Sequence, residues 1–179
     1  KRWGTITNFQ RTRGVLRLLS LVIGSLATRD KQFISLGDFD LSNNEIQQEL
    51  IGYLDNQFYS VIAKDITGVD SGASKVNQMV PDQYKGKKLG IRAATAIFMY
   101  SHSGTTGING ATESEIKRAT CSRGIPAAQI SEVLNQFRNQ LFYLNITNEK
   151  YLFTKEANIL KIKVDTMENI KQRDLDEAE

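Results

Sequence analysis

The chain is organised around the stretch FQRTRGVLRLLSLVIGSL, residues 9–26. Its apolar residues recur every three or four positions, which predicts one amphipathic helix over residues 9–27. The same stretch carries Arg11, Arg13 and Arg17 in its N-terminal half. Because the N-terminal end of a helix already has a partial positive charge, three cations there predict an anionic partner. An acidic protein surface, a phosphate or a nucleotide would each satisfy this prediction.

The overall composition is that of an ordinary globular protein: 40% of the 179 residues are hydrophobic, 24% are charged, and the net charge is +3. A chain of this length buries a real core, in one domain or in two small ones. The longest apolar run, residues 15–26, is too short to cross a bilayer, so we expect no membrane partner. Cys121 is the only cysteine, which excludes an internal disulfide, suits the cytoplasm and, with a single His, argues against a zinc site. Because the sequence starts at Lys1 without a Met or a signal-peptide pattern, we expect a piece of a longer protein.

The segments after the first helix carry weaker signals. Residues 33–36 form a short apolar patch that predicts either a strand or a packed loop. Ser42, with Glu45 three residues later, is typical of a capping box and predicts that a second helix opens with Ser42 as its N-cap. Further along, the spacing of apolar residues, glycines and prolines predicts a short helix over residues 70–80 and a polar connector over 81–88. An apolar helix over 89–100 and a glycine-rich loop over 101–110 follow.

The glycine-rich loop does not have the pattern of a nucleotide-binding P-loop. It lacks the Gly-Lys-Ser/Thr ending, it follows a helix instead of a strand, and the motif occurs nowhere else in the sequence. His102 lies between Ser101 and Ser103, but neighbours in sequence rarely face each other, so a Ser–His hydrolase is a remote alternative. The sequence therefore contains no catalytic motif, and enzymatic activity is left to the longer protein.

From residue 111 onward the pattern changes to that of a winged helix-turn-helix. Thr112, with Glu115 three residues later, opens a short helix as a second capping box. Pro126 suits the first turn of a second helix, whose apolar residues follow at core spacing. Helix, turn, helix and hairpin in this order are typical of a winged helix-turn-helix. The turn between the two helices is predicted over residues 121–124. Two hairpin strands are predicted over 142–146 and 151–153, joined by a turn over 147–150, and a closing helix is predicted over 157–170.

The predicted winged helix carries side chains suited to nucleic acid, although its second helix is nearly neutral. In DNA-binding members, that helix enters the major groove while nearby cations neutralise phosphates. Five cations predict only weak, salt-sensitive binding, and a winged helix is also a common protein-docking module, so duplex DNA and a protein partner are open alternatives. The DNA-binding candidates are Lys117, Arg118, Arg123, Gln129, Gln136, Lys150 and Lys155.

Gly14 and Arg17 form a Gly-x-x-Arg sequence inside the first helix. This sequence resembles the sensor-2 element of AAA+ ATPases, in which an arginine of the helical lid points at the terminal phosphate of the nucleotide. Further segments, spread over most of residues 9–160, resemble the same proteins: FQRTRGVLRLL, VIAKDI, an alanine-rich helix ending in YS, GATESEI, LFYL and YLF. On these residues the chain is similar to the C-terminal part of a large prokaryotic AAA+-like ATPase family of unknown function, often encoded beside DNA methyltransferases.

The resemblance implies a mostly α fold in three parts: a helical lid-like bundle over residues 1–110, the winged helix-turn-helix with its small hairpin over 111–157, and a C-terminal helix with an acidic tail over 158–179. It implies a P-loop domain upstream of Lys1, so ATP and magnesium belong to the longer protein and this chain holds no cofactor or metal. It further implies a non-catalytic region in which Arg17, with Arg13 and Arg11 as lesser candidates, senses nucleotide and the winged helix responds.

Other interpretations stay open. The three arginines are equally explained by ion pairs with acidic residues of the bundle such as Asp38, Asp40 or Asp65. The whole chain is alternatively a free-standing winged-helix DNA-binding regulator or a protein-interaction scaffold. A second copy of the chain is a further candidate partner.

Overall fold

The computed structural model describes residues 11–29, 33–52, 54–102 and 110–158. This part of the chain is mostly helical and includes a small three-stranded antiparallel sheet. The mostly α class is therefore confirmed, whereas the three domain boundaries stay a prediction. The closing helix predicted over residues 157–170 lies outside the described residues from 159 onward.

The helices follow one another closely along the chain, and the strands come late. In order, the helical elements are α1 Arg11–Leu26, a 3₁₀ helix Leu36–Asp38, α2 Asn44–Ile51, α3 Phe58–Val61, a π-helix Ile62–Thr67, α4 Gly72–Met79, α5 Asp82–Lys85, α6 Leu89–Ser101, α7 Glu113–Thr120 and α8 Ala127–Gln140. The strands are β1 Ala111–Thr112, β2 Leu144–Thr147 and β3 Lys150–Phe153.

The start of α2 differs from its prediction by one residue. Asn43, not Ser42, is the N-cap: its side-chain oxygen accepts hydrogen bonds from the backbone N–H groups of Glu45 at 2.9 Å and Ile46 at 3.3 Å. The Ser42 hydroxyl instead donates to the carboxylate of Asp40. The prediction of a Ser42–Glu45 capping box is wrong because an amide oxygen one position later satisfies the free N–H groups of the helix.

The apolar patch at residues 33–36 is not a strand. The chain is irregular up to Ser35 and then enters the 3₁₀ helix. Asp38, the last residue of this helix, caps the N-terminal end of the same helix. One carboxylate oxygen of Asp38 accepts from both the backbone N–H of Ser35, at 3.0 Å, and its hydroxyl, at 2.9 Å. This local hydrogen bonding competes with strand pairing. The packed-loop alternative holds only for Leu36, which packs against the core, whereas Phe33 and Ile34 are 85% and 45% exposed.

The three strands pair in the order β1-β3-β2, so β3 is the central strand. The predicted hairpin is confirmed, with β2 starting two residues later than expected. Its turn residues Asn148 and Glu149 have φ angles of 51° and 61°, the left-handed conformation that two-residue turns between twisted strands require. Strand β1 was not predicted, because two residues are too few to show the alternation of a strand.

Helix α6 is the centre of the core. Its buried residues include Ala93, Ala94, Ile97 and Phe98, and it packs against α4, α7, α8 and β3. Helix α4 approaches so closely at Gly90 that a Cβ atom there would lie 2.5 Å from the backbone oxygen of Ala73. The absence of a side chain at Gly90 therefore permits the close packing of α4 on α6. One continuous cluster of buried apolar side chains runs from α1 to β3.

Candidate functional site

Helix α1 presents its arginines to solvent. Leu18, Val22 and Leu26 recur every fourth residue and are buried, which anchors one face of the helix in the core. Arg13 and Arg17 lie on exposed positions. Arg11 begins the helix, and its side chain lies outside the described residues. The amphipathic helix predicted from residue spacing is thus confirmed for residues 11–26.

Arg17 forms an ion pair that leaves most of its side chain accessible. Its Nε atom lies 3.0 Å from Oε2 of Glu49 on α2, and the two side chains are 72% and 10% exposed. A single-sided contact on an exposed guanidinium contributes about 0–1 kcal/mol to stability. Glu49 therefore orients the guanidinium beside α2 without removing it from solvent, and an anion can still reach it.

The carboxylates expected beside the arginines of α1 have other roles. Asp38 pairs with Arg92 of α6, with 3.2 Å between Oδ1 and Nη2, and both side chains are largely buried. Asp40 accepts hydrogen bonds from Ser42, and Asp65 accepts backbone hydrogen bonds, as described below. An ion pair on α1 was correctly foreseen as an alternative, but its partner is Glu49.

The capping box predicted for α7 is confirmed, and an ion pair within the same helix holds Lys117. The hydroxyl oxygen of Thr112 accepts from the backbone N–H of Glu115 at 3.3 Å, and the Glu115 carboxylate accepts from the backbone N–H of Thr112 at 3.0 Å. One turn later, the Nζ atom of Lys117 lies 2.7 Å from the carboxylate of Glu113. The lysine is thus engaged within its own helix.

Glu113 also fastens α7 to α8. The hydroxyl of Ser131 on α8 donates to the same carboxylate oxygen at 2.7 Å. The hydrogen bond from Lys117 and then the one from Ser131 lower the pKa of Glu113 below its usual value. Lys117, a DNA-binding candidate, and Ser131, on the predicted recognition helix, are therefore brought together by one carboxylate.

The exposed face of α8 is polar and carries charges of both signs. Gln136 donates from Nε2 to the carboxylate of Glu132 at 3.0 Å, and Gln129 is half-buried about two turns nearer the start of the helix. Arg138 is exposed near the C-terminal end. Of the two glutamines proposed as DNA-binding residues, Gln136 is thus already engaged by a neighbour on its own helix.

The remaining candidates lie around α8. Arg118 on α7 and Arg123 in the turn between α7 and α8 are exposed, and Lys150 at the start of β3 is half-buried. Lys155 lies after the hairpin, and its Nζ atom is 2.8 Å from the carboxylate of Asp55. The backbone N–H of Gln57 and then Lys155 lower the pKa of Asp55. Lys155 is therefore directed toward the segment after α2.

A buried carboxylate that the sequence suggested as an ion-pair partner for the arginines of α1 joins the helices to the hairpin. Asp65, in the π-helix, is 1% exposed. Its two carboxylate oxygens accept from the backbone N–H groups of Phe142 at 2.9 Å and Tyr143 at 2.6 Å, just before β2. A charge at this depth is retained only when it is fully hydrogen-bonded. The signal in the sequence was an Asp within the apolar run of residues 61–66.

Ser101 makes a second such connection. Its hydroxyl donates to the backbone oxygen of Ile97 at 2.7 Å and accepts from the backbone N–H of Phe153 at 2.8 Å, which ties the end of α6 to β3. His102 packs edge-on against Phe58 and Phe98, with ring centroids 4.3 and 4.7 Å away. Burial lowers the pKa of His102 to about 4. Ser101 and His102 thus have structural partners, and Ser103 lies outside the described residues.

Among the residues that the structure describes, no group of three or more His, Cys, Asp and Glu side chains could hold a metal ion. No helix in the same part of the chain is both long and apolar enough to cross a membrane. No protein-family model, no curated protein and no solved structure matches this chain.

Proposed function

We propose that this chain is a non-catalytic regulatory region in which an anion-sensing arginine is mechanically joined to a winged helix-turn-helix. The arginine is Arg17, and its ligand is the terminal phosphate of a nucleotide held by a P-loop domain of the longer protein. The winged helix passes the change on to a partner, for which duplex DNA is the first candidate. The observation that carries the proposal is that α1 exposes Arg17 while its opposite face belongs to the same core as α7, α8 and the hairpin.

The winged-helix part of the proposal is supported by the order and pairing of the elements. Helix α6 is followed by β1, α7, a short turn, α8 and the β2–β3 hairpin, and the sheet order is β1-β3-β2. The unpredicted strand β1 strengthens the proposal, because a short strand before the two helices pairs with the hairpin and closes one edge of the sheet. In this arrangement α8 is the recognition helix.

The nucleotide-sensing part of the proposal is supported by the state of Arg17. A guanidinium that is exposed and permanently charged forms strong, directional contacts with phosphoryl oxygens. Glu49 restrains the side chain at Nε, which lowers the entropy lost when a ligand binds. In this proposal magnesium and most nucleotide contacts belong to the P-loop domain. ATP, when bound there, supplies the phosphate charge that Arg17 reads.

Coupling between the two parts is supported by buried polar contacts. Asp65 connects the π-helix to the start of β2, and Ser101 connects α6 to β3. Buried hydrogen bonds of this kind transmit displacement because their geometry tolerates little change before a charged or polar group is left unsatisfied. A shift of the π-helix or of α6 would therefore reach the hairpin, and α1 and α2 are linked to these helices through the shared apolar core.

A protein is the second candidate for the partner of the winged helix, beside duplex DNA. Lys117 and Lys155 are engaged by carboxylates, and Glu132 lies on the exposed face of α8. These observations favour a protein-docking winged helix over one that reads bases. Arg118, Arg123 and Arg138 are exposed and suit phosphate contacts, which favours DNA.

The sensing role is tested by ATP turnover in the longer protein, after its coding sequence upstream of Lys1 has been read for a P-loop motif. We expect Arg17→Ala to lower turnover roughly 10- to 150-fold, the equivalent of losing one charged hydrogen bond worth about 1.5–3 kcal/mol. Val69→Ser, which changes a fully solvent-facing residue, is the matched surface control. Unchanged turnover in Arg17→Ala, or the absence of a P-loop motif, would refute nucleotide sensing.

The partner is tested by binding of duplex DNA to this chain over a range of salt concentrations. With three exposed arginines at the surface, we expect a slope of about −3 in a plot of log K against log salt concentration. Arg118→Ala and Arg123→Ala should each reduce that slope by about one, whereas Lys64→Ala, outside the proposed winged helix, should leave it unchanged. No binding at low salt would exclude DNA and leave protein docking.

A further inference from the structure

Two lysines just before α6 lie outside the surface considered so far. Lys87 and Lys88 are exposed, and within the described residues neither has a carboxylate partner. Lys85, by contrast, pairs with Asp82, with 2.6 Å between Nζ and Oδ1. Backbone hydrogen bonds fix the turn that carries the two lysines: the N–H of Lys87 donates to the oxygen of Tyr84 at 2.8 Å, and the N–H of Lys88 donates one residue further on, at 3.3 Å. The backbone positions of both cations are therefore set before a ligand binds, which lowers the entropy lost on binding.

The start of α6 packs beside the end of α7, which brings the lysines toward the turn between α7 and α8. A Cβ atom on Gly37 would lie 2.9 Å from the backbone oxygen of Ala119 and 3.0 Å from that of Arg92, so both helices contact the same 3₁₀ helix. The Nη1 atom of Arg92 lies 3.4 Å from the hydroxyl oxygen of Ser122 in the turn. Lys88 accepts from the backbone N–H of Arg92 at 3.0 Å and precedes it by about one helical turn.

Cations lie on both sides of this junction. Arg118, near the end of α7, and Arg123, in the turn, are exposed. Arg92 itself is neutralised by the carboxylate of Asp38, so it holds the two segments together and adds little charge to the surface. We define the basic junction as Lys87, Lys88, Arg118 and Arg123. Its two halves come from separate parts of the sequence, so the sequence shows no single run of charge.

We propose that the basic junction contacts the phosphates of duplex DNA that flank the groove entered by α8. The inference rests on DNA as the partner in the proposed function, and it adds two lysine contacts from outside the winged helix-turn-helix. The first residues of a recognition helix contact base edges, and α8 begins at Ala127, shortly after the turn that carries Arg123. Lysine acts on phosphates as a point charge, so these contacts position the duplex without reading its sequence.

The first experiment measures duplex DNA binding to this chain over a range of salt concentrations. Two lysine contacts should steepen the slope of log K against log salt concentration to about −4.5, from the value of about −3 that three arginines alone would give. Lys87→Ala and Lys88→Gly should each reduce the slope by about one and weaken binding about five- to tenfold at about 0.1 M salt. The loss should be equal for two duplexes of unrelated sequence, because phosphates are common to both.

The control variants separate lost charge from lost structure. Lys88 has a φ angle of 50°, which glycine adopts without strain, so Lys88→Gly should bind DNA more weakly without a lower melting temperature. Lys87→Arg keeps the charge and should keep the slope. Lys64→Ala removes an exposed lysine from the π-helix and should change neither slope nor affinity. A slope that depends on Arg118 and Arg123 but on neither lysine would overturn this inference alone. No binding at low salt would overturn it together with DNA as the partner.

The second experiment locates the duplex in a Cys121→Ser background, which removes the native thiol. A photoreactive group is attached to Lys87→Cys, Arg123→Cys or Lys64→Cys, and each protein is irradiated with duplex DNA. The groups at positions 87 and 123 should cross-link to DNA, and the group at position 64 should not. Cross-linking from position 123 without cross-linking from position 87 would overturn the inference while leaving the winged helix as a DNA-binding module. Equal cross-linking from all three positions would show that DNA binds without a preferred surface, and would overturn it as well.

Discussion

Removal of the Asp65 carboxylate should destabilise the protein more than most single substitutions. In Asp65→Ala, the backbone N–H groups of Phe142 and Tyr143 lose a charged acceptor that holds them at 2.9 and 2.6 Å. Each hydrogen bond to a charged group contributes about 1.5–3 kcal/mol. Because the deleted side chain also takes its own desolvation cost with it, we expect a net loss of about 3 kcal/mol in the free energy of unfolding. This is a large part of the total for a domain that is stable by about 5–15 kcal/mol.

The measurement is urea unfolding followed by far-ultraviolet circular dichroism. Asp65→Asn keeps one acceptor oxygen but places an NH2 donor against the other backbone N–H, so it should also lower the free energy of unfolding relative to the unsubstituted chain. The matched control is Asp70→Ala, which removes the same side chain at an exposed position a few residues later and should change the free energy of unfolding by less than about 0.5 kcal/mol. If Asp65→Ala and Asp70→Ala unfold at the same urea concentration, the carboxylate does not join the helices to the hairpin, and the coupling argument fails with it.

Three further perturbations test the site. The pKa of His102 falls to about 4 in the folded chain, so the folded state favours the neutral ring. The contribution of this neutral ring to the free energy of unfolding is complete above pH 6.5 and is lost as the pH falls toward 4. It should reach about 3 kcal/mol, measured as the pH-dependent difference in urea stability between the unsubstituted protein and His102→Phe. Arg92→Ala leaves the buried carboxylate of Asp38 without its cation and should cost about 3 kcal/mol in the same assay, part of which Asp38→Asn should restore in the double variant. Thr112→Ala removes the N-cap of α7 and should cost about 1 kcal/mol, visible as a lower melting temperature.

Local signals in the sequence were sufficient for the longer helices, but the prediction of a polar connector over residues 81–88 is wrong where the short helix α5 forms. The spacing of apolar residues located α1, α6 and α8, and cap chemistry located the start of α7. The same reasoning misplaced the start of α2, because Ser42 and Asn43 are both good caps and only the engagement of Ser42 by Asp40 decides between them. Local patterns locate the start of a helix well when only one of two adjacent residues can cap the free N–H groups at that end.

The contacts that join the parts of the molecule were beyond such reasoning. Asp65 meets residues 77 and 78 positions later in the chain, and Ser101 meets one 52 positions later. Neither pairing leaves a periodic signal, because each depends on how separate elements pack. The same holds for Arg17. Its residue type and position predicted an anionic partner, but the identification of Glu49 as that partner depends on the packing of α1 on α2.

The crossing of α4 and α6 at Gly90 limits how this fold can diverge during evolution. An alanine there would place its methyl group against main-chain atoms, which cannot rotate away as a flexible side chain can. Descendants that keep the two helices in contact must therefore conserve a glycine at this position even after most other residues have drifted. That glycine, together with the buried aspartate of the π-helix, offers a signature for recognising remote members of the lineage.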